Sequence, residues 1–148
     1  MQGLGDLSMD NSRVKYNTNL ASEFWVLSAL YRCGIDAQLT LGNKKGVDII
    51  IPREAAEMIT VEVKGLAKKY DWHADNIQIL NNPKHFYVFL SFDGEISNPL
   101  VSPSVWIIPS NKLEPFIKKY PKATDVSRSL ILKNGDRFKN AWHLLSAA

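Results

Sequence analysis

Residues 46–65 read Gly-Val-Asp-Ile-Ile-Ile-Pro-Arg-Glu-Ala-Ala-Glu-Met-Ile-Thr-Val-Glu-Val-Lys-Gly. Val47 to Ile51 form an apolar, β-branched run that Pro52 halts, and Arg53 to Glu57 make a turn. Met58 to Lys64 then form a second strand, closed by Gly65. Side chains two apart on a strand share a face. Glu62 and Lys64 therefore point one way, and Val61 and Val63 point the other way into a core. Asp48 opens the preceding strand, and the connection to Met58 is short. Pairing of the two strands brings Asp48 toward Glu62.

Two carboxylates and an ammonium would then meet at the end of a small sheet. Close carboxylates repel, and one is driven toward protonation unless a cation joins them. Hard oxygen ligands of this kind suit Mg²⁺ or Mn²⁺. Such an ion can polarise a phosphoryl oxygen and lower the pKa of a bound water. Lys64 can orient that water or stabilise charge growing on the phosphate. The competing reading is a solvated strand face with a Glu–Lys pair worth under ~1 kcal/mol.

Upstream, Thr18 or Asn19 can cap a helix over about 20–33. Leu20, Phe24, Leu27, Leu30 and Tyr31 recur at helical spacing, and Gly34 ends the run. Glu23 faces or borders that stripe, where a carboxylate must find a partner or meet a desolvation cost. It joins the Asp48–Glu62 cluster, reaches water, or pairs with a base such as Arg32. Cys33, in the same apolar pattern, reads as a small core residue.

Residues 1–17 are rich in Gly, Ser, Asn and Asp and lack periodicity, so they read as a flexible arm ahead of one domain over 18–148. Ala37 to Leu41 is a short strand, and Gly42 to Gly46 a basic turn. Leu66 to Asn82 is loop-like and aromatic, with a helical turn near 74–80. Strands follow at His85 to Phe92 and Val105 to Ile108. The remainder reads as a helix over 111–120 capped by Ser110, a strand at 130–133 and a helix over 136–146.

The 148 residues suit one α/β domain with its own core. Hydrophobic residues make up 45% and charged residues 22%, which excludes a disordered chain. The formal charge of +3 is compatible with nucleic acid without demanding it. A single cysteine excludes an internal disulfide framework and a multi-thiolate zinc site. Met1 to Asn19 carries no hydrophobic signal region, and no apolar run approaches the ~20 residues that span a bilayer. A reducing, cytoplasmic setting without a membrane partner is expected.

The order of Glu23 on a helix, then Gly46-Val47-Asp48, then Glu62-Val63-Lys64 resembles the PD-(D/E)XK nuclease superfamily, the restriction-endonuclease-like fold. The Gly-Val-Asp and Val-Glu-Val-Lys-Gly strings look most like archaeal-type Holliday junction resolvases and related small nucleases. The likeness covers about residues 20–65. Val105 to Ser110 and Asn140 to His143 look like features of uncharacterised bacterial relatives of that fold. The resemblance implies a mixed central sheet flanked by helices, in core order α-β-β-β-α-β. It implies a metal-dependent endonuclease on DNA, with Mg²⁺ or Mn²⁺ held by Asp48, Glu62 and the Val63 carbonyl. Lys64 maps to the family lysine and Glu23 to the helix glutamate. It also implies a homodimer, since small nucleases of this fold often pair to cut two strands. Val47 stands where the family often has proline, and the helix expected after Lys64 has no clear sequence signal. The alternative is an inactive nucleic-acid-binding or protein-interaction module on the same fold.

Lys44, Lys45, Lys68 and Lys69 flank the cluster in sequence and are candidate phosphate contacts, against the plainer reading of surface solubility. Tyr70 and Trp72 could stack on a base but suit the edge of a core better. His73 could be an acid, a base or a ligand, although a lone loop histidine usually is none of these.

Overall fold

A computed structural model describes residues 7–42, 46–54, 57–77 and 82–146. The chain is mixed α/β. Helix α1 (Leu7–Arg32) leads into β1 (Gln38–Leu39), β2 (Ile49–Pro52) and β3 (Met58–Leu66). The two-residue β4 (Trp72–His73) precedes β5 (His85–Ser91) and β6 (Ser104–Pro109). Two single 3₁₀ turns lead to β7 (Ile117–Tyr120), β8 (Ala123–Val126) and helix α2 (Arg128–Asn134). Two more 3₁₀ turns, Asp136–Phe138 and Trp142–Leu145, follow.

The central sheet has the order β1-β2-β3-β5-β6. The first three strands are antiparallel, β3 and β5 are parallel, and β5 and β6 are antiparallel. A smaller antiparallel sheet runs β4-β8-β7. Every residue of β5 is buried, because both faces of the central sheet are covered. That explains the unbroken apolar run in its sequence. One face packs Val61, Val88, Leu90 and Ile107 against Val26 and Leu30 of α1. The other packs Tyr87, Phe89, Trp106 and Ile108 against Trp72, Val126 and Ile131.

Several elements differ from the sequence reading. Helix α1 starts at Leu7, well ahead of Thr18, so the segment read as a flexible arm is helical from that point. Residues 11–17 are all exposed, which leaves no apolar stripe for a periodicity to reveal. The buried stripe of α1 is Thr18, Ser22, Val26 and Leu30. Phe24 and Tyr31 face outward, at 51% and 53% exposure. Cys33 is exposed as well. Helix α1 ends at Arg32, and Gly34, at φ 76°, turns the chain away before position 33 can join the core.

The helix read over 111–120 is two 3₁₀ turns and then β7; Pro115 sits in the second turn. The strand read at 130–133 is part of α2, whose cap Ser127 accepts a hydrogen bond from the Leu130 N–H. The C-terminal helix over 136–146 resolves into its two short turns. Between β3 and β5 the described residues hold β4 and a turn at Asp75 and Asn76; the helical turn read near 74–80 lies partly outside the described residues. Among the described residues no helix is long and apolar enough to cross a membrane.

Candidate active site

Gly65 fixes how closely α1 approaches β3. A Cβ built on it would lie 1.9 Å from Ser22 Oγ and 2.6 Å from Ser22 Cβ, so only glycine admits the helix at this distance. Ser22 is fully buried, and its hydroxyl turns back to donate to the Thr18 carbonyl at 2.6 Å. The contact sets Glu23, the next residue, over the edge of the sheet beside Asp48.

At that edge β2 leaves β3. The strand pairing ends at Ile49 and Val61, and the Asp48 N–H donates to the Val61 carbonyl at 2.9 Å. One step on, the Asp48 side chain replaces the missing strand. Its Oδ2 accepts from the Val63 N–H at 2.7 Å. A residue in a strand directs its N–H and C=O to the same side. The Val63 carbonyl therefore faces the same gap as the Asp48 carboxylate. Thr40 buttresses the turn by donating from its hydroxyl to the Val47 carbonyl at 2.6 Å and from its N–H to the Asp48 carbonyl at 2.9 Å.

Glu62 and Lys64 lie on the opposite face from α1, in register with the buried Tyr87 and Phe89. Lys64 Nζ sits 2.9 Å from Glu62 Oε1, and the Glu62 side chain is only 12% exposed. Burial raises the Glu62 pKa above the usual carboxylate range; Lys64 partly offsets this, and Asp48 adds to it. Glu23 is pushed up to about 7, by burial first and then by the negative charge of Asp48 and a hydrogen bond to it. The site thus carries negative charge that its own lysine does not neutralise.

These residues line an open cleft of about 490 Å³. Helix α1 contributes Lys15, Asn19 and Glu23 at successive turns; the sheet contributes Asp48 and the segment Glu62 to Leu66. Strand β4 and the turn after it contribute Trp72, His73, Asp75 and Asn76. Glu23, Asp48, Glu62 and Asp75 outnumber Lys15 and Lys64, so the lining favours a cation over a bare phosphate. Among the described residues no three His, Cys, Asp or Glu side chains form a metal cage by themselves. Mg²⁺ does not require one: it is commonly held by one or two carboxylates, with water and phosphate oxygens completing the octahedron. Asp48, Glu62 and the Val63 carbonyl are oxygen donors that fit this role.

The sequence reading thus foresees Asp48, Glu62, Val63, Lys64 and Glu23, and the cleft brings all five together. Lys68 and Lys69 are exposed and stand outside the lining. Lys44 and Lys45 lie outside the described residues. Trp72 is a core residue at 1% exposure, and Tyr70 is exposed. The sequence reading gives Asn19 only as a helix cap and gives Lys15 no role in the site. The steps of four from Lys15 to Asn19 and from Asn19 to Glu23 are the signal that could have found them, once the helix is extended upstream.

Comparison with protein-family models, curated proteins and solved structures finds no match for this chain.

Proposed function

We propose that the protein is a metal-dependent endonuclease that hydrolyses phosphodiester bonds in DNA, on a fold of the restriction-endonuclease-like type. One observation carries the reading: the Asp48 carboxylate is clamped to the Val63 N–H in a cleft that also holds Glu23, Glu62 and Lys64. The central sheet, with α1 on one face and β3 parallel to β5, is compatible with that fold.

In this reading Asp48, Glu62 and the Val63 carbonyl hold Mg²⁺ or Mn²⁺. The ion would supply Lewis acidity and an acidified water. The chain's own groups do the positioning. Val63 N–H fixes the rotamer of Asp48. Lys64, tethered to Glu62 at 2.9 Å, presents its ammonium where water or a phosphoryl oxygen would lie. Glu23, whose pKa is pushed up to about 7, hydrogen-bonds Asp48 and can give a proton below that pH or take one up above it. Lys15 reaches the same cleft from α1 and suits a backbone phosphate.

A second reading, a non-catalytic interaction module, is favoured by the fact that Lys64 and the Val63 N–H already partner Glu62 and Asp48. Calorimetric titration with Mn²⁺ separates the two, repeated with uncleavable DNA present, followed by cleavage assays on duplex, branched and single-stranded DNA. Binding that vanishes in Asp48→Asn and Glu62→Gln, together with metal-dependent cleavage, supports the nuclease. No metal binding with or without DNA supports the module.

A further inference from the structure

The β4 wall of the cleft carries chemistry that the proposed mechanism does not use. His73 and Asp125 are cross-strand partners on β4 and β8. Trp72 turns into the core, so the neighbouring His73 projects outward, with its side chain 83% exposed. Its Nδ1 lies 3.2 Å from Asp125 Oδ1, whose side chain is only 18% exposed. The wall is pinned behind it: Ala74 N–H donates to the Thr124 carbonyl at 2.8 Å, and Thr124 N–H to Asp75 Oδ1 at 3.1 Å. An imidazolium that donates its Nδ1–H to a carboxylate has its ring plane set, and offers its Nε2–H to whatever occupies the cleft.

Displacement at phosphorus runs in line, so the leaving oxygen departs opposite the attacking water. Glu62 and Lys64 line the cleft from β3 and His73 lines it from β4 of the second sheet, so a phosphate held between them can meet water from one element and an acid from the other. We propose that His73, oriented by Asp125, is the general acid that protonates the leaving oxygen of the scissile phosphodiester. The proposal rests on the phosphodiesterase reading above. The water oxygen bonds to phosphorus, and the bond from phosphorus to O3′ breaks with its electron pair going to O3′. O3′ takes the proton from His73 Nε2, and the water gives up a proton to solvent through the carboxylates. Solvent then reprotonates His73. The charged groups around the imidazole are Asp125 on β8, Lys118 opposite it on β7, Asp75 beyond β4, and Glu62, Lys64 and Lys15 in the same cleft lining.

The test compares a duplex of ordinary linkages with one whose single cleavable linkage bears sulfur at the bridging 3′ position, under single turnover in Mn²⁺. A thiolate leaves without needing a proton. His73→Gln should slow the oxygen-linked duplex about 100-fold or more and the sulfur-linked one less than about threefold. Asp125→Asn should show the same selective loss at smaller size. Circular dichroism should show both variants folded, since His73 is exposed. Equal losses on the two duplexes, a change confined to KM, or no loss would overturn the proposal. A wild-type protein that cleaves neither duplex overturns the nuclease reading and this one with it, a result distinct from equal losses in a working enzyme.

Discussion

Glu23 resists ionisation, and this makes it a handle on the pH response of the fold. An unfolded Glu23 titrates near 4.5, whereas the folded chain keeps its proton to about 7. Between these values the folded state binds more protons than the unfolded one. Its contribution is therefore full below pH 4.5 and is lost as pH rises through 7. Burial raises Glu62 too, and it adds to the same slope. Glu23→Gln should flatten the decline and raise Tm at pH 8 by about 2–4 °C, roughly 1 kcal/mol once solvent screening is allowed for. Thermal melts of both proteins from pH 4.5 to 8 check this; parallel profiles would assign the slope elsewhere. Asp48→Asn tests the neighbouring group. The amide oxygen can still accept from Val63 N–H, so the fold should hold; on the proposed metal-binding reading, millimolar Mn²⁺ should raise Tm of the wild type at pH 8 and leave that of Asp48→Asn unchanged.

At the scale of elements, the junction of α1 with β3 decides whether the site is assembled. Gly65→Ala places a Cβ 1.9 Å from Ser22 Oγ, and the helix must lift. Overpacking of this kind should cost about 1–3 kcal/mol in urea denaturation. Adding Ser22→Gly should restore part of it, less the ~1 kcal/mol that glycine costs inside a helix. A full cost in the double variant would mean the clash lies elsewhere. The sequence announces Gly65 only as a strand ending; nothing local says that a helix lies on it. Strands β2, β3, β5 and β6 of the central sheet are legible because their apolar runs are sharply bounded. The elements after Pro109 are not. Leu113 and Phe116 are spaced as on a helix, yet Leu113 lies between two 3₁₀ turns and Phe116 closes the second. Helix α2 buries only Ile131 among its seven residues, so the adjacent Leu130 and Ile131 look like a strand.

For the whole molecule, β5 is the shared partition between two apolar layers. Loss of either layer exposes it, so the chain should unfold in one transition. Trp25 and Trp142 sit on the α1 side with rings 6.0 Å apart, and Trp72 and Trp106 make a similar pair on the other. Variants that keep one pair, the other replaced by Phe, should give the same urea midpoint by fluorescence as by far-ultraviolet circular dichroism. Phe89→Ala should destabilise both probes together by about 3–5 kcal/mol. The same architecture explains what the sequence revealed of the site. The acidic cluster sits on β3, on the residue just before β2 and on one helix, and can be read from spacing. The wall with His73 and Asp125 joins residues far apart in the chain through a sheet that local pattern does not signal.

The central sheet also ends abruptly on both sides. β1 offers only two paired residues, and the outer rim of β6 is occupied by Lys139 against Trp106 and by the Asn140 N–H on the Val105 carbonyl. Unpaired strand rims are the templates on which neighbouring chains stack into fibres. With both rims shortened or capped, concentrated solutions should resist amyloid growth, and self-association would have to proceed through side-chain faces rather than by continuing the sheet.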